Sequence, residues 1–315
     1  MDGVKTFIAR RLLLLLPILW GVATLTFFLM YVVPGDPVRT IAGERYDERT
    51  LAAMRAELGL DRPLVIQYVH FLGGLARFDL GRSFVTRRPV AEAIRERFPK
   101  TLVLALSAMF IAIVLGVFIG ALAAWGRVPG LSRILMTFSL VGVSIPVFWL
   151  GLLLIYLFAI KLSILPPSGY GGGSIRNLVL PAFTLSFASM ATIARITRSG
   201  FLDALGEDYV RTARAKGLGE RAVMGKHVMR NALIPVVTIV GADFGSYLSG
   251  AVLTESIFGW PGLGRFIVQA ILKRDFPVIQ GAVLFMATTF ILVNLAVDIS
   301  YGFIDPRVRS GGGER

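Results

Sequence analysis

The sequence has no cysteine and only two histidines, His70 and His227, which lie in unrelated segments. The first absence removes disulfides, thiolate metal sites and cysteine nucleophiles, and the second leaves a protein-built zinc or iron centre without ligands. A nucleotide-binding loop is missing as well. It needs a glycine, four residues and then Gly-Lys-Ser/Thr, so that backbone amides cradle phosphates and the hydroxyl holds magnesium. The nearest approach is Gly225-Lys226-His227, where the upstream Gly219 is one residue out of register and His227 replaces the hydroxyl. The run Gly171-Gly172-Gly173 follows Pro166-Pro167 with no lysine after it and reads as a flexible connection. No Ser/Lys or His/Asp arrangement recurs at reactive spacing, so an integral membrane enzyme lacks the residues to carry it. Charge is scarce: 17% of residues are Asp, Glu, Lys or Arg against 55% hydrophobic. The mean hydropathy of +0.71 points the same way, to a polytopic membrane protein.

What is present is a series of long apolar runs. The net charge of +13 does not read as nucleic-acid binding, because it is scattered between those runs instead of gathered on one soluble face. Lys5, Arg10 and Arg11 precede the charge-free run Leu12 to Val33, whose 22 residues suffice to cross a hydrocarbon core of roughly 30 Å. Pro34-Gly35-Asp36-Pro37 follows in place of a small-residue cleavage site, so the run reads as a retained anchor. Residues 34–100 carry twelve Lys/Arg and nine Asp/Glu and read as an extracytoplasmic subdomain. It contains an amphipathic helix from Glu48 to Leu58, with Leu51, Met54 and Leu58 on one face and Gly59, Asp61 and Pro63 ending it.

Four further runs are Thr101 to Trp125, Ile134 to Ile160, Ile234 to Thr254 and Gly281 to Phe303. A fifth, Leu178 to Ala194, has 17 residues and is rich in Ser and Thr, at the short end of what can span. It is either a sixth span or an interfacial segment, and charge decides. With six spans and the N-terminus inside, the inside segments 2–11, 126–133, 195–233 and 305–315 hold 16 Lys/Arg, while the short outside loops 161–177 and 256–279 hold 5. That asymmetry puts both termini in the cytoplasm. The expected architecture is all-α and polytopic: an N-terminal tail and first span (1–33), the insertion (34–100), a transmembrane core (101–304) with a cytoplasmic loop (198–235) between the fourth and fifth spans, and a cytoplasmic tail (305–315).

Gly116 with Gly120 and Gly241 with Gly245 have the spacing that lets helix backbones approach closely, which fits packing within one bundle. Pro146 and Pro181 interrupt apolar runs and are expected to kink them. Asp243 lies mid-run, where an ionisable group costs at least ~2.5 kcal/mol. It either lines a polar path, with Ser246, or is a hydrogen-bonded packing residue. Asp298, near the inner end of the last span, can reach water.

The segment Arg198 to Pro235 is polar, basic and helix-prone, and it is held between apolar runs. Its Asp208-Tyr209-Val210-Arg211-Thr212-Ala213-Arg214-Ala215-Lys216-Gly217-Leu218, followed by Arg230-Asn231-Ala232-Leu233-Ile234-Pro235, resembles the cytoplasmic EAA loop of bacterial ABC importer permeases. The dipeptide/oligopeptide branch, which includes nickel and glutathione importers, is the one it matches. Pro34-Gly35-Asp36-Pro37, Leu58-Gly59-Leu60-Asp61-Arg62-Pro63 with Gln67-Tyr68, Asp79-Leu80-Gly81 and Glu255-Ser256-Ile257-Phe258-Gly259-Trp260-Pro261-Gly262-Leu263-Gly264 keep the family's order. The resemblance spans about Lys5 to Arg307. The triplet Arg211-Thr212-Ala213 stands where the general motif has Glu-Ala-Ala, and Pro235 comes later than the motif's proline, so no role is copied from that glutamate.

The resemblance implies a non-catalytic, six-span permease that pairs with a second, similar permease. It further implies two cytoplasmic ATPase subunits that bind ATP and magnesium, and an extracytoplasmic binding protein that delivers substrate; no cofactor belongs to this chain. It implies that Asp208, Tyr209, Val210, Arg211, Thr212, Ala213, Arg214, Lys216, Gly217 and Leu218 form a coupling helix that docks on an ATPase. The residues fit: Asp208 and Lys216 suit the two ends of a helix dipole, and Gly217 can supply the left-handed turn that ends it. Tyr209 and Ala213 would share one face, as would Val210, Ala213 and Gly217. Short peptides are the expected substrate, with nickel chelates or glutathione as alternatives. An ion-coupled secondary transporter using Asp243 is the reading from another class.

Overall fold

The computed structural model describes residues 2–32, 38–39, 47–125 and 130–304, and among them there is no β-strand. The long elements are α1 (Asp2–Val32), α4 (Val90–Ala124), α7 (Ile175–Gly206) and α13 (Phe276–Ile304). These four are long and apolar enough to cross a membrane. Two bent pairs raise the number of spans to as many as six if each pair counts as one. The first joins α5 (Leu131–Ser144) to α6 (Val147–Lys161) at 107°; the second joins α9 (Glu220–Ala232) to a helix beginning at Ile234 at 49°. That helix is α10 (Ile234–Gly250).

The Ser- and Thr-rich run at the short end of what can span lies within the most buried of the long helices. Helix α7 has 32 residues and buries 67% of its apolar window inside the protein, against 33% for α4 and 22% for α1. Its polar side chains explain the weak signal in the sequence, because they bond inward: the Thr184 hydroxyl donates to the Leu180 carbonyl at 2.8 Å and that of Ser186 to Phe183 at 2.8 Å. A hydroxyl satisfied within its own helix can be buried at little cost. Pro181 sits inside α7 without ending it.

At Pro146 the expected kink is a full break. The chain leaves α5 at Ser144, passes through extended Ile145 and Pro146, and re-enters helix at Val147. Proline confines the residue before it to extended backbone, and Ile145 obeys at ψ 124°. The run Ile134 to Ile160 is therefore not one straight span.

Glycines set the closest helix contacts. A β-carbon at Gly116 would meet the Met190 carbonyl at 2.8 Å, and one at Gly120 would collide with the Ala194 carbonyl, so α4 and α7 touch backbone to backbone. Gly241 and Gly245 seat α10 on α13 by making room for side chains, that of Val297 and those of Asn294 and Phe290.

The insertion holds α2 (Glu48–Glu57) and α3 (Leu64–Ala76). Asp47, which the sequence reading passed over, caps α2 by accepting from the Thr50 amide at 3.0 Å, and Leu51 is the buried residue of its apolar face. Helix α3 lies against α1 through Phe27, Tyr68 and Phe71. The segment after α3 is pinned to the start of α13 by Asp275, whose carboxylate accepts from the Ser83 hydroxyl at 2.5 Å and the Phe84 amide at 2.9 Å. Helix α4 begins at Val90, well before the apolar run at Thr101. The motif Pro34 to Pro37, the tail 305–315 and the side chain of Asp298 lie outside the described residues.

Candidate functional site

Helix α7 runs on through Arg198 to Gly206, so the loop between spans is narrower than Arg198 to Pro235. Its first element is α8 (Asp208–Ala215). The helix opens with Asp208 in the first turn and closes with Arg214 in the last, both suited to the dipole. It ends as a Schellman motif: the Leu218 amide donates to the Ala213 carbonyl at 3.3 Å and the Gly217 amide to the Arg214 carbonyl at 2.9 Å. Gly217 has φ +78°, the left-handed conformation this motif requires.

The faces of α8 differ from the expected grouping. Val210 and Ala213 point inward and are buried at 0% and 5% exposure. They pack with Phe201 and Ala204 of α7, Ala124 of α4, and Val223, Val228 and Ala232 of α9. Tyr209 is exposed and does not share this face. Tyr209 stands about 100° round the helix from Val210 and about 40° from Ala213, at the rim of the buried face. Behind this block, Gly200 of α7 meets α9 so closely that a β-carbon would stand 2.7 Å from the Ala232 carbonyl. Helix α8 is therefore one part of a packed block that includes the C-terminal ends of α4 and α7.

The outward surface carries the remaining side chains. Asp208 and Arg211 form an exposed pair at 3.3 Å, with side-chain exposures of 93% and 73%. Thr212 donates back to the Asp208 carbonyl at 2.9 Å, and Lys216 and Leu218 are exposed. Arg214 reaches Glu220 at 2.8 Å, tying the end of α8 to the start of α9. Gly225 lies in the helical turn Val223–Val228, not in a loop that could wrap phosphates. No group of three or more potential metal ligands occurs among the described residues.

In α10, Asp243 is half-buried and Ser246 exposed. The Ser246 hydroxyl donates to the Ala242 carbonyl at 3.2 Å. The two residues stand three apart on the same helix, on one side of it.

A second constellation was visible in the sequence only as an ordered run of residues. Beyond α10 lie α11 (Val252–Ile257) and α12 (Leu263–Leu272). Glu255, one residue past the apolar run, is completely buried. It accepts from the Thr101 hydroxyl at 2.6 Å and from the Arg265 amide at 2.9 Å, while the Leu263 amide donates to the Thr101 oxygen at 2.8 Å. The Trp260 indole N–H donates to the Lys100 carbonyl at 2.9 Å. Burial pushes the Glu255 carboxyl up, and the Thr101 hydroxyl with the Arg265 and Gly264 amides pulls it back. Gly262 and Gly264 are required by contact: a β-carbon on Gly262 would collide with the carboxylate, and one on Gly264 would stand 2.7 Å from Val252 Cα. The signal for this site was a glutamate abutting an apolar run, followed by glycines where a helix N-terminus must come close.

Comparison with known proteins shows the family. Residues 112–310 match the family described as binding-protein-dependent transport system inner membrane component, and residues 4–105 match its N-terminal companion. The glutathione transport system permease protein GsiC of Salmonella choleraesuis (strain SC-B67) is 45% identical over 303 residues, covering 96% of this chain and 98% of that protein. The di/tripeptide transport system permease protein DppB of Pseudomonas aeruginosa (strain UCBPP-PA14) is also 45% identical, with the same coverage. Among solved structures, a chain of the MetNI methionine ABC transporter in inward-facing conformations aligns with a TM-score of 0.57 at 18% identity, over 68% of this chain and 97% of that one. A chain of an amino acid ABC transporter aligns at 0.52 and 20% identity, over 69% and 94%. These two likenesses concern the fold. The family assignment displaces the ion-coupled reading of Asp243: this chain belongs to the binding-protein-dependent transport system inner membrane components and is a permease subunit of an ABC importer.

Proposed function

We propose that this permease imports short peptides, di- and tripeptides or glutathione, as one half of a path completed by a second, similar permease. The observation that carries the substrate class is the end-to-end likeness to a glutathione permease and a di/tripeptide permease at equal identity. Both relatives' cargoes are short, zwitterionic and peptide-bonded. Nickel chelates share neither the backbone nor the charge arrangement.

In this reading residues 34–100 lie outside the cytoplasm and both termini inside. Two cytoplasmic ATPase subunits bind ATP and magnesium and dock on the exposed face of α8, formed by Asp208, Tyr209, Arg211, Thr212, Arg214, Lys216 and Leu218. Val210 and Ala213 stand behind that face, and Gly217 shapes its end. Asp243, half-buried in mid-span, lines the path, where the cost of burying its charge is offset by water or by the substrate's ammonium group.

The test is uptake by the complete complex with its binding protein. Labelled alanyl-alanine and glutathione should each enter in an ATP-dependent manner and compete with one another. Uptake of a nickel chelate with neither peptide entering would overturn the substrate class and leave the family assignment intact.

A further inference from the structure

Among the described residues, the buried acidic side chains are Glu255 and Asp275. Both bond across elements on the side of the molecule that carries the insertion. Glu255 and Thr101 together join three helices: α4 supplies the hydroxyl, α11 the carboxylate, and α12 the amides of Leu263 and Arg265. The opposite end of the bundle is built differently. There the coupling block is held by apolar side chains and close glycine contacts, and α9 meets α10 at a 49° bend beside Leu233 and Pro235.

The two kinds of contact respond differently to force. Apolar surfaces are non-directional and can slide over one another. Buried hydrogen bonds are directional, and each one broken leaves an unpaired group out of water. Removing the Thr101 hydroxyl would strand both a carboxylate oxygen and the Leu263 amide, so the cluster holds as a unit or fails as one. Helix α10 connects the bend to the cluster, a lever of roughly 25 Å for its 17 residues.

We propose that Glu255 is a positioning residue for transport. Through Thr101 it holds the outer ends of α4, α11 and α12 as one body, while the inner ends move with the coupling helix. Without it, motion delivered at the bend would dissipate as splaying of the outer ends instead of turning the subunit. The proposal rests on the family assignment and not on the substrate.

The test uses the complete complex, reconstituted with its partner permease, ATPases and binding protein. Because the chain has no cysteine, Val103→Cys and Gln269→Cys place spin labels on α4 and α12 without background. The native clasp should give one narrow distance distribution, unchanged between the nucleotide-free and ATP–vanadate states. Thr101→Ser should behave the same way, whereas Thr101→Val should broaden or shift the distribution on adding ATP–vanadate. A native distribution for Thr101→Val in both states would overturn the proposal. If that variant does not assemble, Glu255→Gln, which keeps the side chain's size but weakens its bonds to the Thr101 hydroxyl and the Arg265 amide, decides by the same criterion.

A second arm measures peptide uptake per ATP hydrolysed, with alanyl-alanine and glutathione as probes. The ratio should fall roughly tenfold in Thr101→Val, as expected for losing about one charge-assisted hydrogen bond, and return in Thr101→Ser. A Thr101→Val complex that is merely less stable, with an unchanged ratio, counts against positioning. A native complex that transports neither probe removes the substrate reading and leaves the distance measurement decisive.

Discussion

Two residues of the segment Asp208 to Leu218, Gly217 and Ala213, show what sequence alone can and cannot reveal. Gly217 was legible, because a glycine just past a helix-forming run has one main use, and the structure gives it φ +78°. No atom lies within 4 Å of the position a β-carbon would take, so the constraint is conformational and not steric. Gly217→Val should therefore abolish uptake with the membrane-inserted amount unchanged. Gly217→Asn should keep most uptake, since asparagine tolerates the left-handed region while a branched residue pays roughly 1–2 kcal/mol. Transport assays beside immunoblots of the membrane fraction separate the two outcomes. Ala213 was not legible in the same way. Spacing says which residues share a face but not which face looks inward; that depends on Phe201 and Val228, distant in sequence. Ala213→Asp would bury a carboxylate without a partner, at a cost of several kcal/mol, and should lower the thermal stability of the solubilised permease by itself. Tyr209→Asp lies on the exposed face and should leave that stability unchanged while releasing the ATPase on co-purification. Equal loss of stability in both variants would erase the distinction between scaffold and docking face. For the same reason a crosslinking cysteine belongs at Tyr209 or Leu218, not at Ala213.

At the scale of elements, the runs Leu12 to Val33, Thr101 to Trp125 and Gly281 to Phe303 coincide with helices long and apolar enough to cross a membrane, because apolar length is a strong signal. Where hydropathy says less, the reasons are identifiable. Helix α7 looked marginal because Thr184, Ser186 and their neighbours lowered its hydropathy, although these groups satisfy themselves within the helix. The break at Pro146 looked like a kink because hydropathy is blind to a turn between two apolar halves. Helix α4 begins inside a charged stretch because Arg88 bridges Glu92 and Glu96 at its start, holding polar residues on a helix that then enters the apolar region. The glycine pairs were legible as packing sites, and the structure assigns their partners. Gly120→Leu should force α4 off α7 at the Ala194 carbonyl, destabilising the bundle by at least ~1–3 kcal/mol. Gly21→Leu on α1, where a β-carbon meets nothing within 4 Å, is the matched control. Thermal unfolding of the two purified variants, read against the native permease, should lower the midpoint for Gly120→Leu alone.

For the whole molecule, the decisive quantity is the sidedness of the insertion and of the coupling block. Positive charge argues it from the sequence: the segments read as inside carry 16 Lys/Arg against 5 in the short outside loops. The structure adds an independent constraint of connectivity. Helices α4 and α7 run side by side, with Gly116 and Gly120 of one against Met190 and Ala194 of the other. The last residues of both, Ala124 and Ala204, enter the block around α8, while Thr101 near the start of α4 meets Glu255. The insertion, pinned to α13 by Asp275, belongs to the Glu255 end, so the two ends must lie on opposite sides of a bilayer crossed by α4. Two single cysteines test this directly. Phe78, 91% exposed in the insertion, should react with a membrane-impermeant maleimide added to intact cells. Asp208, with a 93% exposed side chain on α8, should react only after the membrane is opened. Labelling of both sites from the same side would break the topology, and with it the assignment of α8 to the ATPase. The reverse pattern would invert the molecule and contradict the charge asymmetry, because a reactive coupling helix on the outer surface has no ATP-driven partner to meet.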